Sequence, residues 1–171
     1  MQKLNKIILL ALFVWVALLV FMPKIELYYL LEKNLAPQGV KLNEKKIQEG
    51  PFSLHIDKMQ VFVKGIDIAT IDEADLMTLL IYSRATLKNV LVDPILKDNV
   101  PQKIDEVHLT HHLFAPTKIA IDMRGNWGKI EGQISLLDRK IHLDLLETNG
   151  TLPWQQQFKK GKKGMYYETS F

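Results

Sequence analysis

The stretch DEVHLTHH, Asp105 to His112, holds the densest group of ligand-type side chains in the sequence: Asp105, Glu106, His108, His111 and His112. A zinc site needs three or four such ligands converging on one point. Val107 and Leu109 alternate with polar neighbours, which predicts a short strand, and on a strand His108 and His112 share a face about 13 Å apart at ~3.3 Å per residue. They do not converge. The spacing predicts solvated polar positions on an edge strand, and no metal site is expected.

Other candidate chemistry is thinner. Ser53, Ser83, Ser135 and Ser170 lack the strand-turn-helix setting of a nucleophile elbow. Gly125, Gly128 and Gly132 are flanked by strand-like residues, with no following helix whose amino end could hold a phosphate. They read as bends and close approaches in a sheet. The chain has no cysteine, which excludes a disulfide framework, a thiolate metal site and a cysteine nucleophile. Its net charge of +3 and the lack of an aromatic-basic signature argue against nucleic acid as a partner. No residue set spells out a reaction, so the chain is expected to be non-enzymatic and to carry no cofactor.

Two segments could be modified or bind ions. In ETNGT, Asn149-Gly150 is a strong turn pair, and Asn149 is also an Asn-x-Thr glycosylation acceptor. The turn is a sufficient explanation by itself. FKKGKKG concentrates Lys159, Lys160, Lys162 and Lys163 in a basic patch, expected as a solvated tail that could reach anionic headgroups if the chain folds back. MYYETSF after it is apolar enough for a last strand.

The elements that would position these residues begin with IILLALFVWVALLVFM, Ile7 to Met22, sixteen residues without a charge or a glycine. All sixteen residues, Ile7, Leu10, Phe13, Trp15, Leu18 and Phe21 among them, are apolar, so no polar face exists for a soluble core helix. At 1.5 Å per residue the run spans roughly 24 Å, and flanking lysines can extend its reach. VFMPKIELYY offers no small-x-small cleavage triplet, which favours an anchor over a removed signal peptide. Lys3, Lys6 and the amino terminus precede the run, which favours N-in, with Met22 onward outside the cytoplasm.

Residues 23–38 follow as a juxtamembrane helix. Pro23 suits its first turn, Ile25, Tyr28, Tyr29 and Leu35 recur at helical spacing, and Pro37 and Gly39 end it. Two placements fit: a helix capping the open end of a sheet, or one lying on the membrane with Tyr28 and Tyr29 at the headgroups. Residues 39–152 then change to period two, and 153–171 form the basic tail with its possible last strand. Phe52, Leu54 and Ile56 alternate on one parity and Met59, Val61 and Val63 on the other, so a bulge or tight turn is expected at Asp57-Lys58. Ile66 and Ile68 alternate. Ala74, Leu76, Leu80 and Tyr82 read as one strand interrupted at Thr78, and Leu87, Val90 and Val92 as another. Ile119, Ile121 and Met123 give a cleaner one. In the late hairpin Ile130, Gly132, Ile134 and Leu136 precede a reversal at Leu137 to Lys140, and Ile141, Leu143 and Leu145 return on the same apolar face. Eight or so short strands predict an all-β protein: one transmembrane helix, a short juxtamembrane helix and a curved antiparallel meander.

One anchor, a Pro-started helix ending near Pro37-Gly39 and a meander with a late Gly-x-Ile-x-Gly-x-Ile-x-Leu strand together resemble type II secretion protein N and the wider AsmA-type envelope proteins. The architecture also resembles the anchored β-jellyroll component of lipopolysaccharide transport. The resemblance implies a cell inner-membrane protein whose sheet projects into the periplasm with an apolar concave face. The chain is shorter than is usual in those groups, which favours an adaptor that docks onto other proteins of an envelope-spanning machine, such as a secretion system or flagellar motor. The alternative is a carrier of lipid or glycolipid. An adaptor should close its core and leave a strand edge free; a carrier should expose apolar surface beyond what a closed core buries.

Overall fold

The computed structural model describes residues 2–79, 81–149, 153–161 and 164–171. It is an all-β protein with two helices at its start. Helix α1 spans Gln2–Phe21 and α2 spans Lys24–Leu35, followed by a single 3-10 turn, Ala36–Gln38. Gly39 closes that turn in the left-handed region at φ 79, which admits glycine without steric penalty. The strands are β1 Val40–Glu49, β2 Ser53–Val63, β3 Ile66–Thr78, β4 Tyr82–Val92 and β5 Lys103–His112. They continue with β6 Lys118–Gly125, β7 Gly128–Ser135, β8 Lys140–Thr148, β9 Lys159–Gly161 and β10 Gly164–Ser170. All lie in one open, curled antiparallel sheet in the order β1-β2-β3-β4-β5-β6-β7-β8-β10-β9.

Alternation assigns the two faces. Inward residues meet in rows across the strands, such as Ile47, Ile56, Ala74, Leu87, Val107, Met123, Ile130 and Leu145, each directly opposite its neighbour. Charged and polar side chains occupy the other face. The phase slip expected at Asp57-Lys58 is real, and it is shared. Successive inward residues are three apart at Ile56/Met59, Ile71/Ala74, Leu87/Val90 and Ile104/Val107, and on β1 Lys45 and Lys46 both point out. Register aligns Lys58 with Asp72 and Asp72 with Asn89, so the slips form one line across five adjacent strands. Lys58 and Asn89 take φ 50 there. Each slip is matched by one in the neighbouring strand, so register is kept across the line, and five slips together bend the strands and curl the whole sheet.

Several expectations change. β3 ends at Thr78, and Tyr82 opens β4; Leu79 and Ile81 make the hairpin turn between them, while Leu80 lies outside the described residues. Leu136 is exposed in the β7–β8 turn rather than inside the hairpin, and it is Ile134 that stands opposite Ile141. The histidine strand β5 is central, between β4 and β6, and is not an edge. The segment after 153 is no loose tail: Lys159 and Lys160 form β9, and β10 pairs with β8 from Met165 to Ser170. Lys162 and Lys163 lie outside the described residues.

The line of slips gives a direct test. Deleting Lys58 removes the slip from β2 alone. Met59 and Val61 would continue the alternation of Leu54 and Ile56, but β2 would be one residue short against β1 and β3, which keep Lys45 and Asp72, and its register with both would break. Lys58→Gly keeps the slip and should shift stability by less than about 1 kcal/mol. Urea unfolding of the two variants in detergent, followed by circular dichroism, should show the deletion far less stable than the glycine variant.

Candidate functional site

The inner face is covered unequally along its length. At the end away from α1, Trp127 and Trp154 meet edge to face at 5.5 Å, and Phe158 packs on Trp154 at the same distance. The Trp127 indole nitrogen donates to the Lys103 carbonyl at 2.9 Å. Gly125 makes this possible, because a Cβ there would lie 2.4 Å from that indole nitrogen. Both tryptophans are buried, so this end is sealed.

At one side α2 packs across β1 and β2. Tyr28 is 5% exposed, its hydroxyl 3.3 Å from Glu44 Oε2 and 3.8 Å from the Met59 sulfur. Burial and the Glu44 carboxylate push the Tyr28 phenol well above its usual range. Tyr28 therefore belongs to the core and not to an interface, and α2 takes the sheet-capping placement. Tyr29 is half exposed, edge-on to Tyr28 at 5.5 Å, and Leu35 is half-buried where α2 ends. The buried Lys24 ammonium pairs with Glu49 at 3.4 Å and donates to the Met22 carbonyl at 3.2 Å, which fixes the start of α2 against the end of β1.

Between α2 and the sheet an apolar cleft of about 340 Å³ remains at the end where α1 leaves the domain. Leu27 and Leu31 of α2 face Leu54, Leu76, Leu109 and Ile119 of the sheet across it. Its lip is polar: Thr78, Ser83 and His111 lie side by side on β3, β4 and β5. The Thr78 and Ser83 hydroxyls are 3.0 Å apart, and His111 Nε2 lies 3.1 Å from the Pro116 carbonyl. An apolar floor with a few polar groups at the mouth is the usual form of a small-molecule site, and the volume falls in the usual range of roughly 300–1,000 Å³.

α1 is twenty residues long, about 30 Å at 1.5 Å per residue, and is long and apolar enough to cross a membrane. Ile7, Leu10, Phe13, Leu18 and Phe21 are exposed on it, Trp15 is half-buried and Leu19 is buried.

The outer face carries histidines bracketed by carboxylates. His55 Nδ1 lies 2.6 Å from Asp75 and Nε2 3.1 Å from Asp57. His108 contacts Glu106 at 3.2 Å and the Thr86 hydroxyl at 3.1 Å. His142 sits between Asp144 and Glu168 and stacks on Tyr166. His112 lies over the Tyr82 ring at 5.0 Å. Among the described residues no three His, Asp or Glu side chains are placed to hold a metal ion. Asn149 closes its turn, its backbone donating to Trp127 O at 2.8 Å and its amide to Asn126 O at 3.1 Å; Gly150 and Thr151 of the acceptor triplet lie outside the described residues. Lys159 and Lys160 are exposed.

Compared with known proteins, the chain matches no protein-family model, no curated protein and no solved structure.

The Asp75 hydrogen bond, reinforced by Asp57, raises the His55 pKa above its ordinary 6.5. A raised histidine pKa contributes stability that is fully present below 6.5 and is lost as pH rises through the folded value. NMR titration should place His55 above 6.5 in the wild type and lower in Asp75→Asn, and thermal stability of His55→Gln should depend less on pH above 6.5.

Proposed function

We propose that the chain is a non-enzymatic single-span protein of the cell inner membrane. In this reading α1 is a retained anchor, N-in, with the sheet in the periplasm, and the cleft under α2 holds the acyl part of a lipid or glycolipid. The observation that carries it is the position of the cleft: Met22 and Lys24, the residues that join α1 to α2, line it. An acyl chain leaving a bilayer crossed by α1 would meet apolar surface with only a short passage through water. Of the two expected roles, carrier and adaptor, an adaptor calls for a closed core. Here Leu109, Ile121 and Leu143 on the inner face are only half-buried, and the cleft is unfilled by protein.

The adaptor role keeps one supporting feature. β9 pairs with β10 only at Gly164 to Tyr166, so among the described residues Tyr167 to Ser170 have no strand on that side. Other envelope proteins could add a strand there. The opposite edge, β1, carries Lys41, Lys45 and Lys46, a pattern that discourages strand addition.

Full-length protein in membranes supplied with a diazirine fatty acid should crosslink at α2 or the facing strands. Leu27 is partly exposed, so Leu27→Arg should fold while losing roughly tenfold of the crosslink, as expected for loss of an apolar contact and insertion of a charge. A folded wild type that takes up no crosslink in the cleft contradicts the carrier reading. A periplasm-active reporter placed after Phe171 should be active and a cytoplasm-active one silent; the reverse contradicts the N-in orientation.

A further inference from the structure

The connections at the two ends of the sheet differ in kind. At one end lie the tips β1–β2, β3–β4, β5–β6 and β7–β8 and the residue after β10. Hydrogen bonds join them into one continuous rim: Thr78 N to Phe52 O at 3.1 Å, Leu113 N to Ile81 O at 3.0 Å, Leu136 N to Thr117 O at 2.8 Å and Phe171 N to Arg139 O at 3.0 Å. Each of these sites offers a large apolar side chain to solvent. Phe52, Ile81, Leu113 and Phe171 are well exposed, and the outermost, Phe114 and Leu137, are 89% and 77% exposed. Hairpin tips in water ordinarily carry Gly, Asn, Asp and Pro with polar neighbours. The far end also exposes apolar residues, but singly and beside polar turn residues: Ile66 after Lys64-Gly65, and Ile95 before Lys97, Asp98 and Asn99.

We infer that this rim is a second membrane contact, and that the hairpin tips sit in the interfacial layer of the same bilayer that α1 crosses. The inference rests on the anchor reading given above. Continuity with α1 argues for lipid as the occupant. Lys24 pairs with Glu49, the last residue of β1, beside the first tip. Phe21 ends α1 only three residues earlier, a reach of about 10 Å along the chain. The end of a membrane-crossing helix is thereby tied to the level of the rim. Charge agrees. Just behind the tips stand the exposed bases Lys118 and Arg139, placed to meet anionic headgroups. The acids at this level have partners: Asp138 accepts from the Ser135 hydroxyl at 2.6 Å, Glu168 pairs with Lys140 at 3.7 Å and Glu49 with Lys24. A rim seated in this way would hold the mouth of the α2 cleft at the bilayer surface.

The absence of native cysteine allows single-cysteine labelling of the full-length chain. Phe114→Cys and Leu137→Cys probe the rim, Phe13→Cys probes α1, and Lys97→Cys probes the far end. Each is labelled with an environment-sensitive fluorophore and reconstituted in phosphatidylethanolamine–phosphatidylglycerol vesicles containing spin-labelled lipid. The expected result is blue-shifted emission and several-fold stronger lipid quenching at Phe114, Leu137 and Phe13 than at Lys97. Rim probes that match Lys97 while Phe13 is quenched would overturn the rim contact and leave the anchor standing. Rim probes that are blue-shifted but unquenched by lipid would show a protein or a second copy on the rim, and would also overturn it. An unquenched Phe13 would remove the anchor and this inference together.

Discussion

Five neighbouring strands change their inward parity at the same level, and most of the molecule depends on that line. Strands of ten to thirteen residues with strict alternation would make a long, evenly twisted ribbon. The shared slip at Lys45, Lys58, Asp72, Asn89 and Asp105 bends them together, so that two blocks of apolar residues face one concavity. It also places two polar residues in succession on the outside of each strand, where Lys88 reaches Glu73 at 2.9 Å. Both inner covers land at this line. Tyr28 of α2 rests on Met59, the first inward residue past the slip in β2, and Trp127 bonds to the carbonyl next to Ile104, its counterpart in β5.

A single sheet can bury its apolar face only by curling or by borrowing cover. This one does both, and unevenly. Three aromatic rings fill the end away from α1. At the other end α2 reaches over only part of the concavity, and its Leu27 and Leu31 face the sheet across open space. The pair Lys24–Glu49 holds α2 in that position and at the same time fixes where α1 emerges. The unfilled part of the core, the end of the apolar helix and the apolar hairpin tips thus share one end of the molecule. That coincidence is the physical basis for reading the domain as a lipid-handling module at a membrane surface.

Much of this architecture is legible in the residues. Alternation in Ile130 to Leu145 predicts the late hairpin and its apolar face, and Pro37-Gly39 marks the end of α2. Other features are hidden for physical reasons. The β3–β4 turn lies in an unbroken apolar run without Gly, Pro or Asn, so nothing local marks a reversal and one strand is expected where two exist. Leu136 continues the strand parity by one step into a turn. The slip in β2 is visible, as are the three-residue spacings in the other strands, but their alignment appears only once register is known. The cleft depends on how far α2 stands from the sheet, which no periodicity encodes. Tyr28, readable as a headgroup-facing residue, becomes core because Glu44 and Met59 are there to receive it.

The central claim is that the concavity beside α1 is occupied by lipid in the membrane. Native mass spectrometry of the full-length protein, extracted in mild detergent and stripped of the micelle in the gas phase, tests it most directly. The account predicts a discrete adduct of lipid mass that persists under activation sufficient to remove detergent, and that Leu27→Arg fails to retain. A wild type that appears only as the bare chain mass, still folded by ion mobility, would contradict it.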